Sequence, residues 1–337
     1  MAQTSREIVR AAIRFEGPDR LPVRMGCFGR DDTGWIPRPG ANRTENGIEV
    51  DEWGCHWEQT DVPNMGQPKG HPLADVSEHG KLTVPDYNEE WRYADCGEAF
   101  QRAEAQGRYT QVGIFMVLFE RMYSVAGFEN VLMGLLADPE NTGALADRIV
   151  EAHLCLLRNY QERFGPRLDS FSMTDDWGTQ QAAFVSMDVW YDFFFPRYKR
   201  IFDAMHEGGQ DVWVHSCGKV NEIIQGYIDA GVNAVNLQQP RALGIEEIGR
   251  RYRGKITFES LADIQATLPK GRPELIEADA RALAEHWMSP RGGFVFSDYG
   301  DGRAIGADPE AKLAMYRAFS RVSEELYGNP LPEPIQQ

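Results

Sequence analysis

An imidazole and a thiol stand two residues apart at the end of a hydrophobic run, where they could share a metal ion. Residues 212–214 are hydrophobic, and His215, Ser216 and Cys217 follow them directly. Side chains alternate along a strand, so His215 and Cys217 point to the same face. Imidazole nitrogen and thiolate sulfur are ligands that zinc prefers. The pair indicates either a metal or thiol-activating site, or a packed cysteine beside a hydrogen-bonded histidine.

A zinc site needs at least one further protein ligand. The sequence offers Cys27, Cys55 with its neighbour His56, and Glu259. Taken alone, each is more typical of a packed thiol, a surface histidine, or a solvated or paired carboxylate than of a metal ligand. The residues by themselves therefore leave the third ligand open.

Two adjacent carboxylates, Asp175 and Asp176, follow the hydrophobic run 168–173 and precede Trp177 and Gly178. A carboxylate at such a strand end can transfer a proton, or orient a cation or a substrate amine. An aspartate there can also cap a helix or tighten a turn. We expect the two residues to divide these tasks.

The elements that would position these residues alternate regularly after residue 108. Short hydrophobic runs predict strands at 110–116, 168–173, 211–215, 232–237, 255–258 and 293–296. Helical spacing predicts helices at about 119–136, 138–164, 187–208, 219–230, 244–252, 273–288 and 308–327. This alternation is typical of parallel βαβ units. With the run 21–25 and one more strand in the loop-rich region, it predicts an α/β fold, a single (β/α)8 TIM barrel. A doubly wound open sheet is the alternative.

In such a barrel the functional residues lie at the carboxyl ends of the strands. The polar residues that follow the predicted strands are Arg30, Asp175, Asp176, His215, Cys217, Gln238, Glu259 and Tyr299. We therefore expect one shared site there. Residues 30–108 show no sustained period but are rich in tryptophan and tyrosine, which predicts a loop-rich segment that covers the site. We interpret residues 1–337 as one domain.

Composition restricts the classes of partner and of chemistry that the protein could have. The 337 residues carry a net charge of −16, which disfavours nucleic acids and anionic membrane surfaces as partners. Five cysteines without a disulfide framework predict a cytoplasmic protein, and no hydrophobic stretch is long enough to cross a bilayer. The aromatic run 190–198 is typical of burial or of the subunit interface of a homodimer. No phosphate-binding glycine motif is present, so nucleotide chemistry is not expected.

The order of several segments resembles the uroporphyrinogen decarboxylase superfamily, and within it the corrinoid-linked methyltransferases. The resemblance runs from about residue 5 to 320 and rests on these segments: SREIVRAAIRFEGPDRLPV, VDEWG, DDWGTQ, FFFPRYKRIFDAMHEGG, VHSCGKVNEII, GVNAVNLQQP, SLADIQATLPKGRPELI and GGFVFSDYGDG. It implies a (β/α)8 barrel, in agreement with the pattern of strands and helices.

The methyltransferases of this superfamily hold zinc with a His-x-Cys pair and a later cysteine. His215 and Cys217 match the pair, whereas the later cysteine position falls on Gly300. Asp298, Asp301 or Glu259 could replace it as an oxygen ligand, and a protein without metal would use His215 differently. In the decarboxylases an RQAGR segment binds substrate carboxylates. Arg30 matches its second arginine, and Gly26 replaces the first.

The resemblance thus implies a methyltransferase that moves a methyl group between a corrinoid carrier protein and a small molecule such as a thiol or tetrahydrofolate. His215, Cys217 and Glu259 would bind zinc, with Asp175, Asp176 and His215 as catalytic groups. Arg30, Gln180, Gln238 and Tyr299 would bind the small-molecule substrate. Two alternatives remain: a cofactor-free decarboxylase or lyase acting on a small aromatic or pyrrolic acid, and a noncatalytic subunit whose barrel mouth binds a partner protein.

Overall fold

A computed structural model of the protein describes residues 2–59 and 66–335. Within these ranges, eight parallel strands form a nearly closed barrel. Strands β2 to β8 pair in sequence order, and β8 pairs with β1. Between β1 and β2, the short antiparallel strand Arg30–Asp31 pairs with β1. The strands are β1 (Val23–Met25), β2 (Thr33–Ile36), β3 (Tyr109–Ile114), β4 (Ser170–Thr174), β5 (Asp211–His215), β6 (Ala234–Asn236), β7 (Thr257–Ser260) and β8 (Phe294–Ser297).

The (β/α)8 TIM barrel is therefore confirmed, and the open-sheet alternative is not observed. The strand expected within the loop-rich region is β2. Its four residues, TGWI, lie just before Pro37 and carry too short a pattern to be located from the sequence. All six strands expected after residue 108 are present at or near their expected positions.

Twelve helices are present in the described part of the chain. As the Thr4–Glu7 spacing allows, α1 begins with a capping box in which Thr4 and Glu7 bond each other's backbone. The helices are α1 (Ser5–Ile13), α2 (Cys96–Ala105), α3 (Phe119–Ala126), α4 (Phe128–Ala137), α5 (Pro139–Phe164), α6 (Met187–Val189), α7 (Phe195–Glu207), α8 (Ile223–Ala230), α9 (Pro240–Leu243), α10 (Ile245–Tyr252), α11 (Pro273–His286) and α12 (Pro309–Tyr327).

Two predicted helices differ in detail from the structure. The helix expected over 119–136 is divided into α3 and α4 at Gly127, whose φ of 89° no right-handed helix allows. The helix expected over 187–208 contains a π-helical segment, Trp190–Phe194, between α6 and α7. Pro196 follows this segment and has no N–H for an α-helical hydrogen bond, which favours the wider turn.

One end of the barrel is closed by α1. Val9 and Ile13 of this helix pack against Tyr109, Trp213 and Val295 inside the barrel. Tyr109 begins β3, so α1 lies at the amino ends of the strands. The opposite end, where the carboxyl ends of the strands meet, is left to form a cavity.

Residues 30–108 contain short strands and a ten-residue helix, α2, among the expected loops. A four-stranded antiparallel sheet comprises Arg43–Glu45, Ile48–Val50, His56–Glu58 and Gln67–Gly70. It is joined to α3 by the ion pair of Asp51 with Arg121 (3.0 Å), and Glu52 pairs with Arg92 (2.6 Å). A covering role for this segment, and a single domain over 1–337, stay predictions.

No helix in residues 2–59 or 66–335 has both the length and the hydrophobicity that a bilayer span requires. In the aromatic run, Trp190, Phe194 and Tyr198 are fully buried within the chain itself. Their burial needs no second subunit, and a homodimer stays a prediction.

Candidate active site at the barrel mouth

A cavity of about 940 Å³ opens at the carboxyl ends of the strands. Every barrel strand contributes to its wall, either directly or through the residues that follow it. Its lining includes Arg24, Trp35, Arg38, Gly113, Phe115, Thr174, His215, Asn236, Gln238, Glu259, Asp298, Tyr299 and Gly300. Five of the residues singled out from the sequence, His215, Gln238, Glu259, Asp298 and Tyr299, are thus in one cavity wall.

Asp176, His215 and Cys217 form a cluster of three potential metal ligands at this wall. One donor atom from each residue lies within 4.8 Å of the other two. His215 Nε2 is 3.3 Å from Cys217 Sγ and 3.6 Å from Asp176 Oδ1. Three ligands of nitrogen, sulfur and oxygen type, each only partly buried, are what a catalytic zinc site uses when it keeps one position for substrate.

Asn236 fixes the orientation of the imidazole. The register of β5 and β6 places His215 opposite Asn236, and His215 Nδ1 lies 2.5 Å from Asn236 Oδ1. Because an amide oxygen only accepts hydrogen bonds, Nδ1 carries the proton in this arrangement. The lone pair is then on Nε2, which faces Cys217 and Asp176, as a metal-binding histidine requires.

Two glycines allow the loops after β4 and β5 to touch. A Cβ on Gly218, whose φ is +84°, would lie 2.2 Å from the carbonyl oxygen of Gly178. A Cβ on Gly178 would lie 2.8 Å from the backbone nitrogen of Lys219. The contact is secured by the Cys217 amide, which donates to Asp176 Oδ1 at 2.8 Å. This close backbone approach is what brings Asp176 to Cys217.

Replacing Gly218 with alanine should separate the two loops. We expect the free energy of unfolding to fall by about 3 kcal/mol, since a left-handed backbone costs about 1–2 kcal/mol and the overlap adds to it. Denaturant unfolding measures the change. Gly254→Ala is the matched control, because Gly254 also has a positive φ (77°) but no atom within 4 Å of its added Cβ. Equal losses in the two variants would contradict the close-approach argument.

Asp175 faces away from the cluster and holds α3 in place. It is fully buried, and its carboxylate accepts the backbone N–H groups of Leu118, Phe119 and Glu120 at 2.6–3.0 Å. The Tyr198 hydroxyl donates to it at 2.5 Å. Burial raises the pKa of Asp175 to about 7, against the opposing effect of these hydrogen bonds. The two aspartates therefore differ in place: Asp175 caps a helix and Asp176 lies in the cluster.

The surroundings of Cys217 favour a cation. Burial, and next the negative charge of Asp176, raise the pKa of the Cys217 thiol far above its ordinary value. Without a cation the sulfur thus keeps its proton. A divalent ion beside it would favour the thiolate and balance the charge of Asp176.

Three of the residues expected to bind metal or substrate are placed differently: two have other partners and one is exposed. The structure does not bring Glu259 into the ligand cluster; instead both its oxygens accept from Arg24, at 2.7 and 2.8 Å. Arg30 is absent from the cavity lining and donates to the backbone oxygen of Glu333 at 2.6 Å. Gln180 is exposed on the loop after β4.

The other candidate ligands also lie outside the cluster. The Cys55 thiol is buried and donates to the Ser124 carbonyl (3.1 Å), and burial raises its pKa to about 12. Its neighbour His56 lies in the antiparallel sheet. Asp298 pairs with Lys312 (2.9 Å) and Asp301 with Arg303 (2.8 Å). The side chain of Cys27 lies outside the described structure.

Sequence reasoning missed several residues of the cavity. Arg24 lies within β1 and stacks over the ring of Trp35 at 4.5 Å. A charged residue within a hydrophobic strand was the available signal for Arg24. Asn236 ends β6, where a polar strand-end residue could have been included with Gln238. Asp176 as a third metal ligand had no signal, because only the folded loops place it beside Cys217.

Comparisons with known proteins agree with this architecture. A family model for uroporphyrinogen decarboxylase (URO-D) matches residues 55–322. The solved structure of a methyltransferase from Methanosarcina mazei is similar with a TM-score of 0.61 and 16% identity, over 80% of this chain and 76% of that one. A D-psicose 3-epimerase structure obtained with D-fructose has a TM-score of 0.43 and 14% identity, over 69% and 83% of the two chains. At 16% identity the methyltransferase structure shows the fold alone. Among curated proteins none has a significantly similar sequence.

Proposed function

The chain belongs to the uroporphyrinogen decarboxylase family, and from this premise we propose that it is a metal-activated methyltransferase. The methyl group would pass between a corrinoid carrier protein and a small acceptor such as a thiol or tetrahydrofolate. The observation that carries the proposal is the cluster of Asp176, His215 and Cys217 beside the 940 Å³ cavity. The similar fold of the methyltransferase from Methanosarcina mazei supports it.

Zinc fits the donor set of this cluster. The imidazole of His215, the sulfur of Cys217 and an oxygen of Asp176 are three ligand types that zinc accepts. When bound, zinc lowers the pKa of a thiol substrate, so that a nucleophilic thiolate is present at neutral pH. In this proposal Asp176 replaces the cysteine that the methyltransferases carry at the position of Gly300.

The other cavity residues bind and orient the small substrate. Asn236 keeps His215 Nε2 directed at the cluster through its 2.5 Å hydrogen bond. Gln238 and Tyr299 line the cavity and can hydrogen-bond a substrate held beside Cys217. Because Arg24 is already neutralised by Glu259, this pair shapes the cavity wall without adding net charge.

Binding of the corrinoid carrier at the cavity opening follows from the same proposal, because the methyl group must reach the cluster from outside. The described cysteines Cys55, Cys96, Cys155 and Cys217 are all free, which supports the cytoplasm as the compartment we propose.

A decarboxylase is the second candidate, and the two arginines of the cavity favour it. Arg24 and Arg38 could bind substrate carboxylates. Each is already occupied, however: Arg24 by Glu259 at 2.7 Å, and Arg38 by Glu52 at 3.2 Å and the Gly113 carbonyl at 2.7 Å. A carboxylated substrate would have to displace these partners, so the methyltransferase ranks first.

The identity of the third ligand can be tested with two isosteric substitutions. We expect Asp176→Asn to weaken zinc binding by more than ~10-fold, since even an outer-shell change costs about 10–100-fold. Glu259→Gln should bind zinc like the wild type, because Glu259 pairs with Arg24. Zinc per chain, measured by plasma mass spectrometry after dialysis against a series of buffered zinc concentrations, separates the two. If Glu259→Gln lost zinc and Asp176→Asn kept it, the third ligand would be Glu259 and not Asp176.

A further inference from the structure

The ion pair of Arg24 and Glu259 lies in the cavity wall, and its two charges cancel. Arg24 Nη1 donates to both oxygens of Glu259, at 2.8 and 2.7 Å. Only 17% of the Arg24 side chain and 3% of the Glu259 side chain are exposed. The Arg24 guanidinium is also held 4.5 Å from the ring centre of Trp35. An anion that approached Arg24 would thus also approach Glu259, whose charge is poorly screened by water.

The other charged groups of the cavity are balanced in the same way. Among the described residues, the lining contains two arginines, Arg24 and Arg38, and three carboxylates, those of Asp31, Glu259 and Asp298. A third cation, Lys312, pairs with Asp298 at 2.9 Å. Three cations therefore stand against three carboxylates, and Asp176 of the cluster adds a fourth carboxylate. This balance leaves no excess positive charge for a substrate anion.

Arg38 is occupied as well. Its Nη1 donates to Glu52 at 3.2 Å and its Nε to the Gly113 carbonyl at 2.7 Å. Much of the remaining wall is apolar and comprises Trp35, Ile36, Ile114, Phe115 and Met173. Moving an anion from water to such a wall is costly unless a cation pairs with it.

We propose that the cavity selects an uncharged substrate, and that Glu259 determines this specificity by neutralising Arg24. This inference rests on the proposed function, because it concerns the small molecule that exchanges a methyl group there. Recognition of an anion uses an arginine or lysine that is free to pair with it, and the arginines of the described lining are already paired. Between the two acceptors considered, it favours an uncharged thiol over tetrahydrofolate, whose glutamate carries carboxylates.

The charge preference of the wild type is the first test. Mercaptopropanol is uncharged, and mercaptopropionate has the same chain length but carries a carboxylate. We expect kcat/KM for methyl transfer from methylcobalamin to be at least about 10-fold higher with mercaptopropanol, because burying an unpaired carboxylate costs more than that factor. An equal or higher value with mercaptopropionate would overturn the inference. This comparison decides the question even if a variant of Glu259 does not fold.

Glu259→Gln should shift the preference towards the anion, because it leaves the Arg24 cation unpaired. We expect the ratio of kcat/KM for mercaptopropionate to that for mercaptopropanol to rise by about 10-fold or more, since a hydrogen bond to a charged group contributes at least that factor. The Arg24→Gln/Glu259→Gln double variant has neither charge and should keep the wild-type ratio. An unchanged ratio in Glu259→Gln, or an equal rise in the double variant, would overturn the inference.

Glu104→Gln is the matched control. Glu104 also accepts two hydrogen bonds from one arginine, Arg167, at 2.7 and 3.1 Å, but this pair lies on the surface and outside the cavity lining. The ratio should stay at the wild-type value. A rise equal to that of Glu259→Gln would show that the loss of any carboxylate changes the preference, and would contradict a specific role of Glu259.

Thermal unfolding separates a failure of this inference from a failure of the proposed function. Propionate and propionamide have nearly the same shape, differ in charge and take no part in methyl transfer. We expect propionate to raise the unfolding temperature of Glu259→Gln but not of the wild type, and propionamide to raise neither. Equal shifts of the wild type and Glu259→Gln with propionate would overturn this inference alone. The expected shifts in a protein that methylates no acceptor would overturn the methyltransferase and leave the charge selectivity of the cavity standing.

Discussion

We expect Cys217→Ala to lose the cation that the cluster is proposed to bind, and to transfer methyl groups more than ~100-fold more slowly than the wild type. An outer-shell change already costs about 10–100-fold, and removing a ligand should cost more. The alanine leaves only His215 and Asp176, which are too few for a zinc site. Zinc content and the loss of the methylcobalamin absorption band in the presence of a thiol measure the two effects.

The matched control is Cys155→Ala, which removes a partly buried thiol from α5, outside the cavity lining. It should keep both the cation and the activity. A Cys217→Ala protein with full zinc content and unchanged methyl transfer would place the chemistry elsewhere in the chain. If the circular dichroism spectrum of Cys217→Ala is close to that of the wild type, its loss of zinc and of activity is a local effect and not the result of unfolding.

We expect Asp175→Ala to unfold at a much lower denaturant concentration than the wild type. Three backbone N–H groups of residues 118–120 and the Tyr198 hydroxyl would lose their acceptor in a place without solvent. Each buried unsatisfied group costs about 1–3 kcal/mol, so the loss of an acceptor by four such groups should cost at least about 4 kcal/mol. Equilibrium unfolding in urea measures the loss.

Asp308→Ala separates this effect from ordinary helix capping. Asp308 is exposed and caps α12 by accepting from the Ala311 N–H at 2.6 Å. Its replacement should cost about 1 kcal/mol. If the two aspartate variants lost equal stability, Asp175 would be no more than a surface cap, and its buried hydrogen bonds would carry no special energy.

The barrel was predictable because each of its units has a local signal. Strands such as 211–215 are continuous hydrophobic runs, since helices cover a parallel sheet on its outer face. The capping box at Thr4 and the regular alternation after residue 108 depend only on neighbouring residues. β2 and the antiparallel sheet were not located, because strands of three or four residues with glycine and charged side chains have no distinctive period.

From the sequence, the site could be predicted only as a set of residues at the carboxyl ends of strands. His215 and Cys217 share a strand end, so their common face follows from alternation alone. Asp176 reaches them through the contact of Gly178 with Gly218, a tertiary arrangement that no local pattern contains. Glu259 met every sequence criterion for a ligand. In the structure, however, its carboxylate pairs with Arg24, which lies 235 residues earlier in the sequence. Partner choice among charged groups depends on distances that only the folded chain fixes.

The most direct test of the account is methyl transfer from methylcobalamin by zinc-loaded and chelator-treated wild-type protein, with a panel of thiols and tetrahydrofolate as acceptors. We expect methylcobalamin to be consumed and a methylated acceptor to appear, identified by mass spectrometry, with the zinc-loaded protein alone. The account is contradicted if no acceptor is methylated in either sample. Release of carbon dioxide from small aromatic or pyrrolic acids by the same protein would then identify it as a decarboxylase.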